Sequence, residues 1–386
     1  MLKRGVLLIG FLSTFSLSLA QHHEAAAETK PATETKVVSA KEAEKEQIKK
    51  ENKEFIDHHL LDAHSFDIMV EKKADGTEHH IGFPLPVIFY DEANGLHAFM
   101  SSEFHHGKEL KDAHGKKYNV VESKGANYAL YHEKIVKTDA SGAITLDDHG
   151  HATNAKVLDL SITKSVLMIL CASLLMIVIF GSMARNYKKS PIPTGAGKLF
   201  EPLVIFIRDE IAIPNIGPKY HKYISYLLTI FFFILFLNVF GLLPFGINVT
   251  GNLAITAALA IFTFIITQFT ANRNYWQHIF WMPGLPFLMK LVMIPIELIG
   301  MVIKPFALLI RLFANMSAGH IVIMSLIAMI YYFQNVIAGV AFPFLTFVLY
   351  LLEILVAFLQ AYIFTMLSAV YFGMANEEHH HEEAHH

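Results

Sequence analysis

Between Tyr223 and Asn376 the chain holds only six formally charged side chains, Arg273, Lys290, Glu297, Lys304, Arg311 and Glu353. A soluble domain covers itself with roughly 25–35% charged residues, so this stretch cannot form a surface facing water. In hydrocarbon every backbone N–H and C=O must be satisfied inside the segment, which leaves helices as the natural solution for apolar runs of this length. The whole chain is 53% hydrophobic and 17% charged, with most of the charge in the first 160 residues and at the very end. The single cysteine, Cys171, lies in an apolar run and cannot form an intrachain disulfide. A net charge of -3 offers no basic footprint for nucleic acid.

The apolar runs fall at Val166 to Met183, Tyr223 to Pro244, Leu253 to Phe269, Phe287 to about Tyr332, and Val336 to Phe372. The last two exceed the roughly 20 residues of a perpendicular span, so they must tilt or bend. The pattern predicts an all-α membrane protein with about five transmembrane helices, two of them long and tilted. An interfacial helix over Lys198 to Lys222 and a small N-terminal extramembrane domain complete it. Arg185, Lys188, Lys189 and Lys198 follow the first run, and the excess of cations marks that side as cytoplasmic. Trp276 and Trp281 suit a membrane interface. Asn248 and Asn315 begin glycosylation sequons, which are discounted because the second lies mid-membrane.

Residues 1–20 combine a basic start, an apolar stretch and small residues at Ser18 and Ala20, the layout of a secretory signal peptide. A first membrane span is the competing reading, but Ser13, Thr14, Ser16 and Ser18 make its second half polar. Residues 21–54 are rich in Ala, Glu, Lys and Thr without apolar periodicity, as expected of a disordered linker. Residues 55–155 alternate short apolar runs with Gly, Asp, Asn and Pro and predict a periplasmic, strand-containing extension. The transmembrane domain follows over 156–375, and 376–386 is a His- and Glu-rich cytoplasmic tail. Histidines are frequent in the extension, yet their spacing matches no standard finger or protease pattern, so solvated imidazoles are expected and no metal site.

The charges inside the apolar runs are the candidate functional groups. Arginine at the centre of a span costs roughly 2.5–3.5 kcal/mol even on lenient insertion scales, so Arg311 in LLIRLFANMSAGH marks function. Glu297, Lys304 and Arg311 are spaced by seven residues and share a helix face, which Asn315 extends. His320 projects about 180° away from Arg311. Glu353 and Gln360, again seven apart, share a face of the last helix. A membrane-embedded carboxyl and imidazole in one chain are a natural proton-relay pair. Neither a P-loop nor a GxGxxG occurs, so no nucleotide cofactor and no catalytic site of the chain's own is expected.

RLFANMSAGH around Arg311, LQAYIFTMLSAVY around Gln360, and NVFGLLPF followed by TGNLAIT resemble subunit a of the F-type ATP synthases. The resemblance covers roughly Phe200 to Glu377 and leaves residues 21 to about 155 outside it. It implies a stationary proton-translocating subunit of a bacterial inner membrane, which offers two half-channels to a rotating c-ring. Arg311 would be the gate, with Asn315 and Gln360 beside it. His320 stands where many bacterial relatives have Glu, and Glu353 where many have His, an acid–imidazole pair with its ends exchanged. Glu297 and Lys304 match looser positions toward the cytoplasmic exit. The partners implied are the c-subunit ring, peripheral-stalk b subunits, the F1 head indirectly, and the lipid bilayer. Two rival readings are a secondary transporter, for which no inverted repeat is found, and a His-rich metal-binding scaffold.

Overall fold

The computed structural model describes residues 62–72, 78–112, 117–147, 152–190, 192–243, 248–281, 286–333 and 336–376. The expected signal peptide, the linker and the His-rich tail lie outside the described residues.

The chain opens with short antiparallel strands: β1 (Ser65–Lys72), β2 (Glu78–Pro84), β3 (Pro86–Asp91) and β4 (Gly95–Met100). After a one-turn helix α1 (Ser102–His106) come β5 (Lys108–Lys111), β6 (Lys117–Ser123), β7 (Ala126–Tyr131), β8 (Lys134–Lys137) and β9 (Leu158–Asp159). They form a β1–β2 pair, a β4–β3–β9 sheet and a β5–β6–β7–β8 meander. Tyr and β-branched residues favour these strands, and alternation sends Val87, Phe89, Tyr128 and Ile135 into a common core. Turns that need a left-handed residue fall at Gly95 and at Lys124–Gly125, where φ is positive.

β9 leads directly into the first membrane helix, α2 (Lys164–Tyr187). Thr163 caps it, its hydroxyl accepting from the Val166 N–H. Asp62 secures the junction by accepting from the Thr163 hydroxyl at 2.9 Å and the Ser165 N–H at 3.1 Å.

The expected interfacial segment is present as α3 (Gly197–Phe206), a π-helical turn at Ile207–Ala212, α4 (Ile213–Ile216) and a 3-10 turn at Gly217–Lys222. Ile207, Ile211 and Ile216 are buried, while Arg208 and Asp209 pair on the exposed side at 2.6 Å. This is the two-sided pattern of a segment lying at a membrane surface.

Four further long helices follow, α5 (Ile224–Leu242), α6 (Leu253–Thr270), α8 (Phe287–Phe333) and α9 (Val336–Asn376), with the short α7 (Arg273–Phe280) between α6 and α8. Together with α2, five helices are long and apolar enough to cross a membrane, as expected. The two long helices hold 47 and 41 residues. Those lengths correspond to about 70 and 60 Å, far beyond a hydrocarbon core of roughly 30 Å. Pro295, Pro305 and Pro343 interrupt their hydrogen-bond ladders, sites where long helices bend.

α5 is the hub of the bundle. Half of its most apolar window is buried inside the chain, against 11% for α8 and for α9. Phe231, Phe232, Leu227 and Leu237 pack it against its neighbours, and the outer flanks of α8 and α9 stay open.

Candidate functional site

Arg311 lies near the midpoint of the span Met289–Met329. The inward stripe of α8 is Leu308, Leu312 and Met316, each at most 2% exposed. Arg311 and Asn315 fall beside that stripe and are exposed. The sequence suggested a buried cation. Its depth in an apolar helix makes it one with respect to the bilayer, but the chain itself does not cover it. Among the described residues no carboxylate pairs with Arg311, and its helix neighbours on the open side, Ile303, Phe306 and Ile310, are apolar and exposed.

Glu353 and Gln360 behave oppositely, at 8% and 4% exposure on the inner face of α9. The Glu353 carboxyl lies directly against Gly319, where a Cβ would collide with both of its oxygens. Gly319 immediately precedes His320, which is half-buried. The structure thus brings the expected acid to the helical turn that carries the expected imidazole. Arg311 is separated from them by about two turns of α8 and opens onto a different surface.

Several polar groups that the sequence reading did not single out hold this region in place. Asn238 of α5 is fully buried, donates to the Ala357 carbonyl of α9 at 3.0 Å and accepts from the Thr250 hydroxyl at 2.8 Å. Asn248 donates to the Met316 carbonyl at 2.8 Å, four residues before His320. Ser317 donates to the Gly251 carbonyl at 3.2 Å. The 3-10 turn at Val249–Gly251 is therefore a bracket between α5 and α8, and Asn238 extends it to α9. The NVTGN sequence, set aside as a glycosylation sequon, has this structural use instead.

Toward the N-terminal end of α8, Lys304 and Glu297 are half-buried. The Lys304 ammonium lies 5.8 Å from the Tyr371 ring centre, a cation–π distance. Lys304 and Tyr371 line a small cleft with Thr263, Thr267, Gln268 and Tyr275. Thr256, Thr263 and Thr267 of α6 are all buried. Their spacing of seven and four residues is a one-face signal that the sequence did contain. The far end of α9 is fastened here too, since Asn376 donates to the Tyr223 hydroxyl at 2.7 Å and Asn272 N–H donates to the Ala375 carbonyl at 2.8 Å.

No cluster of three metal-ligating side chains occurs among the described residues.

Two family models match the chain, one over the membrane helices and one over the front domain. The family model described as ATP synthase A chain matches residues 166–373. A second model, Domain of unknown function (DUF8433), matches residues 55–160. "ATP synthase subunit a 2" of Chlorobaculum tepidum is 48% identical over 227 residues, 56% of this chain and 64% of that protein. "ATP synthase subunit a" of Chlorobium phaeobacteroides (strain BS1) is 40% identical over 325 residues, 79% of this chain and 93% of that protein. The protein of the same name from Chloroherpeton thalassium is 49% identical over 238 residues, 59% of this chain and 70% of that one. The match to the Chlorobaculum protein spans just under two thirds of that relative's length, whereas the Chlorobium match takes in nearly all of its relative and reaches into the front domain. With this family model covering more than half of its residues, the chain is a multi-pass membrane protein that belongs to the ATP synthase A chain family, that of subunit a of the F-type ATP synthases.

Proposed function

We propose that this chain is the stationary proton-translocating subunit of the membrane sector, and that Arg311 is the fixed counter-charge past which the carboxyls of a rotating c-ring move. The observation that carries this reading is the open position of Arg311. A guanidinium cannot lose its proton, and facing hydrocarbon it would be costly. An exposed arginine on an apolar flank calls for a partner that supplies negative charge at the same depth. A ring of helices bearing one membrane carboxyl each meets that need.

The chemistry follows from charge alone. A neutral carboxyl arriving from lipid meets Arg311, which favours its ionised form, so the proton leaves. The cleft lined by Thr263, Thr267, Gln268, Lys304 and Tyr371, with Glu297 beyond it, serves as the exit to the cytoplasm. Once past the arginine, the carboxylate takes a proton from the periplasmic side, passed inward by His320 and Glu353 with Asn315 and Gln360 beside the path. Arg311 blocks a continuous wire between the two half-channels. Each charge crossing 100 mV delivers about 2.3 kcal/mol, which ring rotation hands to the catalytic head. Peripheral-stalk b subunits hold the chain still, with its N-terminal extension periplasmic and its C-terminus cytoplasmic.

ATP-driven proton pumping in inverted membrane vesicles tests this. Arg311→Ala abolishes pumping, and so does Arg311→Lys, because lysine can give up its proton in an apolar site. Retained pumping in Arg311→Ala refutes the proposal.

A further inference from the structure

The β4–β3–β9 sheet of the front domain has an outward face of an unusual kind. Tyr90 pairs with Leu96 on one side and Leu158 on the other, and Pro86 pairs with Met100. Paired residues in a sheet project to the same face, and alternation sends their chain neighbours to the opposite one. That opposite face is the core, with Val87 and Phe89 fully buried. An antiparallel sheet with one packed face ordinarily shows polar side chains on the other. Here Tyr90, Leu96, Met100, Leu158 and Leu160 are between 42% and 61% exposed.

What covers this face follows from where the strand goes. The β3–β9 pairing continues past Leu158, since Leu160 N–H donates to the Ile88 carbonyl at 2.8 Å and Ile162 N–H to the Pro86 carbonyl at 3.0 Å. Ser161 holds the same stretch, donating to the Ile88 carbonyl at 3.2 Å and accepting from the Ile88 N–H at 3.0 Å. The membrane helix α2 begins at Lys164, and its N–H is tied to the Ala63 carbonyl at 3.0 Å. Lys164 is four positions beyond Leu160, at most about 13 Å of extended chain. Leu160, the near edge of the apolar face, is therefore held within about 13 Å of the residue at which α2 starts, and the rest of the face is tied to it through the β3–β9 register. Exposed Lys124, whose ammonium meets the Leu96 carbonyl, and exposed Lys156, two residues before Leu158, stand at the margin. Of the nearby acids, Asp91 and Asp159 are paired with Lys137 and His64, which leaves Glu92 in the β3–β4 turn beside the face. An apolar patch with a tyrosine and a rim of lysines is the composition of a surface that lies in the headgroup region.

We propose that this sheet face rests on the leaflet from which α2 enters, so that the domain matched by the model of unknown function is a lipid-lying module. Its occupant is the bilayer and not a protein. The inference rests on α2 being a membrane span and does not depend on the role of Arg311.

Nitroxide accessibility in the full-length chain tests it. With Cys171→Ser as background, single labels go in at Leu96→Cys, Tyr90→Cys and Leu158→Cys, and as reference at Glu122→Cys, an exposed residue on β6. All four side chains are partly or fully open, so folding should tolerate them, and the three face positions check one another. In vesicles of phosphatidylethanolamine and phosphatidylglycerol, the face labels should show several-fold lower access to a water-soluble nickel chelate and higher access to oxygen than the reference. Equal nickel access at all four positions overturns the proposal, because the face is then in water. Low access to both relaxers also overturns it, because a protein then covers the face.

Discussion

The front domain and the membrane bundle treat charge in opposite ways. In the front domain each buried charge has a partner in the same chain. Lys137 meets Asp91 at 2.7 Å, and this hydrogen bond holds Asp91 below the usual carboxylate range. His64, 2% exposed, sits 2.8 Å from Asp159 and 3.6 Å from Glu133. Burial alone would lower its pKa, but the hydrogen bond to Asp159 and the charge of Glu133 outweigh that and raise it to about 9. In the bundle, Arg311 has no such carboxylate among the described residues. Among the described residues the buried charges of the first region are paired within the chain; on the function proposed above, the second is half of a site whose complement lies on another molecule. A charge left open at mid-span is a sign of function, because nothing in folding the chain alone requires it.

The contrast can be attacked at several points. After the loss of pumping expected from changing Arg311, the largest effect is expected within the bundle, where Glu353→Ala and His320→Ala each slow ATP-driven proton pumping by about tenfold, or about 1.4 kcal/mol on the barrier. The exchange variant carrying both His320→Glu and Glu353→His recovers part of the rate, and no recovery would mean that the two groups do not act together. Next comes the contact between α8 and α9. Gly319→Ala should slow pumping several-fold, because its methyl group displaces the Glu353 carboxyl, while Gly300→Ala, which faces open space, changes little. Equal rates for the two would show that the close approach is unimportant.

In the front domain the effect is on stability and not on transport. The folded state favours charged His64, so its stabilisation is complete below the ordinary value of 6.5 and is lost as pH climbs through about 9. At neutral pH it amounts to about 3 kcal/mol, from 1.36 kcal/mol for each pKa unit. Hydrogen-exchange protection over residues 62–160 of the full chain, taken relative to the intrinsic base-catalysed rate, should fall between neutral and strongly alkaline pH, and His64→Gln should be weakly protected throughout. A pH-independent pattern in the unmodified chain would remove the ion pair from the account. The smallest effect is expected from deleting residues 24–150 with the first 23 retained: ion specificity stays as it was, measured as pumping in sodium-free and sodium-rich media. A change in specificity would show that the extension shapes the pathway.

How much of this could be read from the chain varies by residue. The five spans were legible because length and absence of charge leave no alternative in hydrocarbon. The depth of Arg311 in an apolar span was legible in the same way. Which face of α8 it occupies was not, because lipid and neighbouring helices are equally apolar and hydropathy carries no stripe to distinguish them. The contact of Gly319 with Glu353 was invisible for another reason, since a glycine announces nothing about what approaches it. Asn238 in an apolar run and Thr250 in a turn carry no joint signal in the sequence, and only the fold joins them. In the front domain the short strands were expected from apolar runs broken by Gly, Asp, Asn and Pro. Their register was not, and His64 and Asp159 are 95 positions apart.

The central claim is that the open side of α8 around Arg311 faces carboxyl-bearing helices of another subunit. A photoreactive benzophenone side chain at Ala314, exposed and one turn from Arg311, tests it in intact membranes. The account predicts a covalent adduct with the small ring-forming subunit, at a residue close to its membrane carboxyl. Adducts confined to lipid would contradict it.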